Sequence, residues 1–394
     1  MDGFFSTSEV LSTRPSTGIA KCGACGLNKS CRTSRMGSVG RGKKGILIVS
    51  AYPSQREDTK GKPFIDKEWR HFKDHLNTLG IDVNRDCIRT NAVICHTKTE
   101  PTDSQINACR PYLIKTIKKY NPSLIILLGD AAVKSLMGWL WKDEVGSLNR
   151  WAGFLIPNQK LNAWVLATYL PSDTKDDTLK KKILHSHLKT AIQKVGTRPW
   201  KEVPDYKSRV EIITNPSKAV RAIISLGKRT RCLAFDYECT CLKPEYGGAK
   251  IVSCSICFDN KETIAFPFTD SMKKPFIDLI RKPAGKIASN IKFEERWTKY
   301  HLKTRVRNWY WDTMIAAHVI DNRKSTTSLK FQSAILLGME SYDDHIKPFL
   351  RSGENKLNRI NEIDMRDLLM YNGLDSLLEY KVAMIQIKLL NRKG

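Results

Sequence analysis

Apolar and polar positions along the first half of the chain follow two alternating periods. Ile46-Leu47-Ile48-Val49 is a short β-branched run closed by Ser-Ala-Tyr-Pro, which predicts a buried strand entering a loop. Trp69, Phe72, Leu76 and Leu79 then recur at helical spacing until Gly80, which predicts an amphipathic helix. A strand is expected through Cys87 to Cys95, a helix from about Asp103 to Tyr120, and a second buried strand at Leu124-Ile-Ile-Leu-Leu128 ending on Gly129. A helix from Ala131, a strand at Ala163 to Ala167 and a basic helix from Thr178 to Lys194 continue the alternation. Strand and helix taking turns in this way imply an α/β unit, an αβα sandwich around a mostly parallel sheet.

The pattern changes after Lys194. Val195 to Tyr206, with a glycine, two prolines and mixed charges, reads as a linker, and the Ser/Thr/Gly-containing start reads as a loose tail. The expected organisation is a tail at 1–20, a domain at 21–195, a linker at 196–206 and a second domain at 207–394. Strands lead the second domain: Val210 to Thr214, Cys232 to Glu238, Ile251 to Phe258 and Thr263 to Phe268. Helical patterns dominate from Pro275 onward, so a single mixed sheet with helices is expected there.

Composition narrows the partners. The 394 residues suffice for two domains with separate cores. Lys and Arg outnumber Asp and Glu by 66 to 40, and a net charge of +26 sets up a field that attracts polyanions, so nucleic acid is the expected partner. No apolar run approaches the ~18 residues needed to span a bilayer, and MDGFFSTSEVLSTRPSTG lacks the basic-then-apolar form of a signal peptide. An intracellular, cytoplasmic protein with no membrane partner is expected. Its eleven cysteines then read as candidate metal ligands rather than disulfides.

Three carboxylate-bearing segments stand out in the second half. Asp236 and Glu238 lie two apart in an expected strand and so emerge on one face, where they repel unless a cation sits between them. Asn290-Ile-Lys-Phe-Glu294 follows a strand-like Lys286-Ile-Ala-Ser, and Tyr371-Asn-Gly-Leu-Asp375 lies in a helical segment from Met365 to Leu389, with Tyr371 and Asp375 on one face. Mg²⁺ or Mn²⁺ suits such oxygen ligands.

In this order, Asp236-Tyr-Glu238, Asn290-xxx-Glu294 and Tyr371-xxx-Asp375 resemble the three motifs of the 3′-5′ exonuclease domain of family-A DNA polymerases, the DEDD-type, ribonuclease-H-like exonucleases. Asp312-Thr-Met-Ile-Ala-Ala-His resembles that family's segment after the second motif. The resemblance implies catalytic roles for Asp236, Glu238, Glu294, Tyr371 and Asp375, and substrate contact by Asn290. Asp236, Glu238 and Asp375 would hold a first metal, Asp236 would bridge to a second that Glu294 supports through water, and Tyr371 would orient the attacking water. Two such ions about 4 Å apart can activate water and stabilise the leaving 3′ oxygen. The family ordinarily has Asp where this chain has Glu294, so an altered second-metal site is expected.

In the first half, Cys22-Gly-Ala-Cys25 with the remote Cys95 and Cys109 suits a four-thiolate site for zinc or an iron-sulfur cluster, Cys31 and Cys87 being substitutes. Cys22-x-x-Cys25-x-Leu27, Ile46 to Pro53, Glu57-Asp58, Gly61-Lys-Pro-Phe64, Thr90-Asn91-Ala-Val-Ile-Cys95, Ala108-Cys109-Arg-Pro-Tyr-Leu and Pro122 to Gly129 resemble the iron-sulfur uracil-DNA glycosylases of families 4 and 5. The resemblance implies that Cys22, Cys25, Cys95 and Cys109 hold a 4Fe-4S cluster. It also implies that Phe64 and Asn91 contact an extruded base, though both also suit a core aromatic and a strand-end amide. Where that family carries His-Pro-Ser, this chain has Leu170-Pro-Ser, and an aliphatic side chain cannot stabilise a departing base. Ser50-Ala-Tyr-Pro-Ser54 lacks the family's acid and its glycine after proline.

The expected whole is a two-metal 3′-5′ DNA exonuclease, of proofreading type, fused to an inactive glycosylase-like module that binds DNA or serves assembly. Its front-end arrangement is similar to some phage family-A polymerases, so a single-stranded or frayed 3′ end and a polymerase catalytic subunit or domain are the expected partners. A bifunctional uracil-excising enzyme and a non-catalytic DNA-holding subunit are the alternatives. Lys180-Lys181-Lys182 and Arg41-Gly-Lys43-Lys44 are candidate phosphate contacts or solvated faces. Cys239, Cys241, Cys254 and Cys257 are candidate zinc ligands or small core residues.

Overall fold

The computed structural model describes residues 23–228, 231–258, 262–351, 353 and 356–391; Cys22 and the tail expected at 1–20 lie outside them. The chain divides into two compact units, with the main division between Arg198 and Pro199 and the short segment Ile156–Asn162 counted in the second. Among the described residues no helix is long and apolar enough to cross a membrane.

The first sheet has five strands in the order β2-β1-β3-β5-β4, namely β1 (Ile46–Ser50), β2 (Cys87–Asn91), β3 (Leu124–Leu128), β4 (Leu155–Asn158) and β5 (Ala163–Thr168). The pairs β1/β2, β1/β3 and β3/β5 are all parallel. The central strands β1 and β3 are buried along their whole length, which is why they read as unbroken apolar runs rather than alternating ones. Helices Lys67–Thr78 and Thr178–Ile192 supply Phe72, Leu76, Leu184 and Leu188 to the core on one face. The strand expected to reach Cys95 ends at Asn91, where the backbone turns to bond the end of β1 through Ala92 N–H and Ser50 C=O.

The second unit holds a six-stranded mixed sheet in the order β11-β10-β7-β8-β9-β6. Its strands are β6 (Val210–Ile212), β7 (Cys232–Cys239), β8 (Ile251–Phe258), β9 (Glu262–Pro267), β10 (Gly285–Ala288) and β11 (Trp309–Asp312). β7 runs antiparallel to β8 and parallel to β10, so it is central. The α/β fold class expected from the sequence, a mostly parallel sheet followed by a mixed one, is the one observed.

Two cores flank the second sheet. Leu233, Phe235, Tyr237 and Cys239 of β7 point to one, with Phe276 and Trp297. Ala234 points to the other, with Leu369, Leu374, Leu377 and Leu378 of the C-terminal helix Met365–Asn391. Tyr206, expected in the linker, is buried in this second core. The sequence pattern missed helix Pro216–Leu226, although Asn215 caps it and Pro216 opens it, both ordinary start signals. Strand β11 was also unread, because Trp309-Tyr-Trp-Asp312 is too short and too aromatic to show a period.

Close approach of the C-terminal helix to the sheet depends on Gly373, where a β-carbon would stand 2.3 Å from Val210 Cγ1 and 3.3 Å from Ala265 Cβ. Gly373→Leu is therefore expected to destabilise the protein by about 1–3 kcal/mol through overpacking. Thermal melting checks it, and an unchanged midpoint would contradict this packing.

Candidate functional site

Alternation along β7 sets the site. The face that carries Ala234 also carries Asp236 and Glu238, and it is turned toward the C-terminal helix. On that helix Tyr371 and Asp375 fall one turn apart and face the strand. The outcome is a group in which ligand oxygens of Asp236, Glu238 and Asp375 all lie within 4.8 Å of one another, the one such trio of His, Cys, Asp or Glu among the described residues. Glu238 and Asp375 are buried, while Asp236 keeps part of its surface accessible.

Polar side chains that the motif reading did not single out hold these acids in place. Asn372, fully buried, donates to Asp236 Oδ2 at 2.7 Å. It is oriented in turn by β8: Ser255 Oγ donates to its carbonyl at 2.7 Å and Ser253 Oγ to its side-chain oxygen at 3.2 Å. Tyr342 and Lys330 both donate to Asp375 Oδ1. The Lys330 ammonium also reaches Tyr342 Oη at 3.0 Å and Tyr371 Oη at 3.3 Å, and lies 4.4 and 4.5 Å from the centroids of those two rings. Lys330 is the second residue of helix Leu329–Leu337, whose start is fixed by the cap Ser328.

The second motif is presented by a tight connection. Asn290 takes a left-handed conformation, φ 72°, which asparagine tolerates better than most residues. Asp312 clamps this connection: its carboxylate accepts the N–H groups of Asn290 at 3.1 Å and Ile291 at 2.9 Å. The same carboxylate caps helix Thr313–Ile320 by accepting from Met314 and Ile315. Glu294 falls in the first turn of helix Ile291–His301, buried, with Oε2 lacking any hydrogen-bond partner. It is not part of the 4.8 Å trio, but the charge of Asp236 acts on it.

Burial and mutual repulsion push Asp236, Glu238 and Glu294 up. Asp236 is raised well above the usual carboxylate range, first by burial and then by the charge of Asp375. Glu238 is raised by burial and then by Asp236 and Asp375, and Glu294 by burial and then by Asp236. The Tyr371 hydroxyl is raised by burial and by Asp375, so it stays protonated and can donate. Such a cluster is a poor resting place for bare charge and a good one for hard divalent cations, whose ligands these oxygens fit.

In the first unit, Cys95 and Cys109 are buried and Cys25 and Cys31 half-buried. Arg35 N–H donates to Cys95 Sγ at 3.3 Å. Burial pushes the Cys95 thiol up to about 12, and neighbouring Cys31 and Cys109 add to it. Among the described residues no three cysteine sulfurs lie within 4.8 Å of one another. Cys87 belongs to the core with Ile46 and Phe72, which removes it as a substitute ligand. Cys239, Cys241 and Cys254 lie in one core of the second unit and Cys257 in the other, so they form no common site.

Phe64 and Asn91 are both buried, at 8% and 3% exposure. Phe64, at φ 61°, is packed edge-on by Trp69 at 4.5 Å and covered by the Arg89 guanidinium at 5.4 Å. Asn91 pairs with Ser50 across β2 and β1. Ser54 is spent as a helix cap, exchanging bonds with Glu57, whose other oxygen accepts Ile65 N–H at 3.1 Å. Tyr52 donates to Glu100 at 3.2 Å. Leu170 packs directly over Gly129, where a β-carbon would be 2.7 Å from its Cγ. Of the basic groups singled out, Lys44 is tied to Gly80 C=O and Asp86, and Lys180 to Asp177.

Residues 38–194 match the family described as "Uracil DNA glycosylase superfamily" and residues 210–380 the family described as "3'-5' exonuclease". A type-4 uracil-DNA glycosylase of Archaeoglobus fulgidus is 25% identical over 190 residues, 47% of this chain and 92% of the relative. A type-4 uracil-DNA glycosylase of Pyrobaculum aerophilum is 34% identical over 121 residues, 30% of this chain and 61% of the relative. Among solved structures, Brucella melitensis NrnC overlaps 47% of this chain and 81% of its own at 15% identity, with a TM-score of 0.35.

The raised carboxyls carry a pH signature. Between the ordinary carboxylate range and neutrality the folded chain binds more protons than the unfolded chain, so this group of residues adds stability as pH falls. In chelator, going from pH about 8 to about 5 is expected to raise the wild-type melting temperature relative to an Asp236→Asn/Glu238→Gln variant. Parallel curves for the two proteins would contradict the buried, repelling arrangement.

Proposed function

Because the chain carries a uracil-DNA-glycosylase-superfamily domain in its first half and a 3′-5′ exonuclease domain in its second, we propose that it removes nucleotides from DNA 3′ ends by two-metal hydrolysis. The first half would serve as a DNA-holding or assembly module without glycosylase chemistry. The observation that carries this reading is the convergence of Asp236, Glu238 and Asp375 within 4.8 Å from a central strand and a distant helix.

When bound, two Mg²⁺ or Mn²⁺ ions would lower the pKa of the attacking water and stabilise the leaving 3′ oxygen. Asp236, Glu238 and Asp375 would hold the first ion, and Asp236 would share the second, which Glu294 would support through water. Tyr371, kept protonated by burial, orients the water through its hydroxyl. Lys330 steadies Asp375 and Tyr371 together, so the carboxylate and the hydroxyl keep a fixed relation during attack. Asn290, at the start of the second motif, would contact the terminal nucleotide.

Cys22, Cys25, Cys95 and Cys109 would hold a 4Fe-4S cluster, and the donor set supports it: two buried thiols, a third half-buried, and a backbone N–H aimed at Cys95 sulfur. Against glycosylase activity stands Leu170, which offers no hydrogen bond to a departing base, and the structural use of Ser54, Glu57 and Tyr52. The net charge of +26 supports DNA as substrate and partner. A frayed or single-stranded 3′ end presented by a polymerase, as in the front end of phage family-A enzymes, is the setting we infer, with the exonuclease in a proofreading role.

A 3′-labelled oligonucleotide incubated with Mn²⁺ tests this directly. Wild-type protein is expected to release nucleoside monophosphate, chelator to abolish release, and Asp236→Ala to lower the rate by at least about 10²-fold. Intact 3′ ends with either metal would favour a DNA-holding role, and free uracil released from a uracil-containing duplex would revive excision.

A further inference from the structure

The C-terminal helix is buried along most of its middle, from Leu368 to Tyr380, and the motif reading uses only Tyr371 and Asp375 of it. One turn beyond Asp375 stands Glu379, the same helix face continued. It is 1% exposed. Its Oε1 accepts Ser289 N–H at 2.9 Å, at the residue just before Asn290, and its Oε2 is buried with no partner. Glu294, across the same site, has its own Oε2 buried and unpartnered.

A buried carboxylate oxygen without a donor is expensive, and two of them in one protein interior call for a common answer. The surroundings identify that answer by charge. Asp236, Glu294 and Asp375 all act on Glu379, so it belongs to the same electrostatic cluster. Asp236, Glu238 and Asp375 form the close trio, Glu294 and Glu379 stand outside its 4.8 Å span, and the Lys330 ammonium is bonded to Asp375. Carboxylates outnumber ammonium groups here, and divalent cations answer that excess.

We propose that Glu379 is a further metal-site carboxylate, which with Glu294 completes the seat of the second divalent ion while pinning the Ser289–Asn290 connection. Glu294 enters from the first turn of helix Ile291–His301, Glu379 from the C-terminal helix, and Ser289 ties the two together. The inference rests on the two-metal reading above and adds a residue to it.

The test uses the full chain and Mn²⁺ alone, read by calorimetric titration and by melting with and without chelator. Glu379→Gln keeps the size and the oxygen that accepts Ser289 N–H but removes the charge. It is expected to bind the first Mn²⁺ as wild type and the second 10–100-fold more weakly. In chelator it should melt no lower than wild type, while Mn²⁺ should raise its midpoint less. Glu379→Asp, which keeps the charge but withdraws it by a methylene, should weaken the second ion as well and keeps the test open if the first variant aggregates. Two Mn²⁺ bound at wild-type affinity by Glu379→Gln, with stability lost equally in both conditions, would overturn this proposal and leave the exonuclease reading standing. Failure of the wild type itself to bind Mn²⁺ would overturn both.

Discussion

Repulsion among carboxylates in the narrow space between strand β7 and the C-terminal helix is the constraint on which the second unit is built. Asp236, Glu238 and Asp375 come within 4.8 Å of one another in a largely buried setting, where like charges are far costlier than in water. The fold answers by spending polar groups on holding them there. Ser253 and Ser255 fix Asn372, Asn372 fixes Asp236, and Lys330 with Tyr342 fixes Asp375. Asp312 secures the connection that presents Glu294. A scaffold that invests in maintaining an unfavourable arrangement is preorganised for the cations that relieve it.

The first unit shows the opposite use of similar parts. Several polar groups in the loops around its sheet are paired within the unit. Ser54 and Glu57 satisfy a helix start, Tyr52 and Glu100 satisfy each other, and Leu170 fills the space above Gly129. On the proposed function this unit supplies an α/β body in a chain of strongly positive charge. Such a body can hold a polyanion by phosphate contacts without reading or altering a base.

The sequence carried the architecture well wherever one periodicity ruled. The unbroken apolar runs of β1 and β3 and the long helices Asp103–Tyr120 and Met365–Asn391 were legible because burial on both faces, or along one stripe, leaves a clear pattern. Short strands such as β4 and β11 were not, because four residues cannot establish a period against tertiary packing, whereas helix Pro216–Leu226 carried its cap and its apolar stripe and was passed over. At the site, the spacing of Asp236 with Glu238 and of Tyr371 with Asp375 announced shared faces. Lys330, Tyr342 and Asn372 were silent: a lysine or tyrosine in an amphipathic segment looks the same whether it faces solvent or an acidic pocket. Glu379 did leave a signal, the continuation of the Tyr371 and Asp375 face by one more turn, but only the burial of that face gives it meaning.

The central claim, that these acids form the seat of two divalent ions, is most directly tested by anomalous diffraction from crystals grown with Mn²⁺ and a short DNA 3′ end. Two manganese peaks are predicted, one among Asp236, Glu238 and Asp375 and the other between Asp236 and Glu294, with the terminal phosphodiester beside them. Absence of any peak there, with the carboxylates unchanged and the DNA seated elsewhere, would contradict the account.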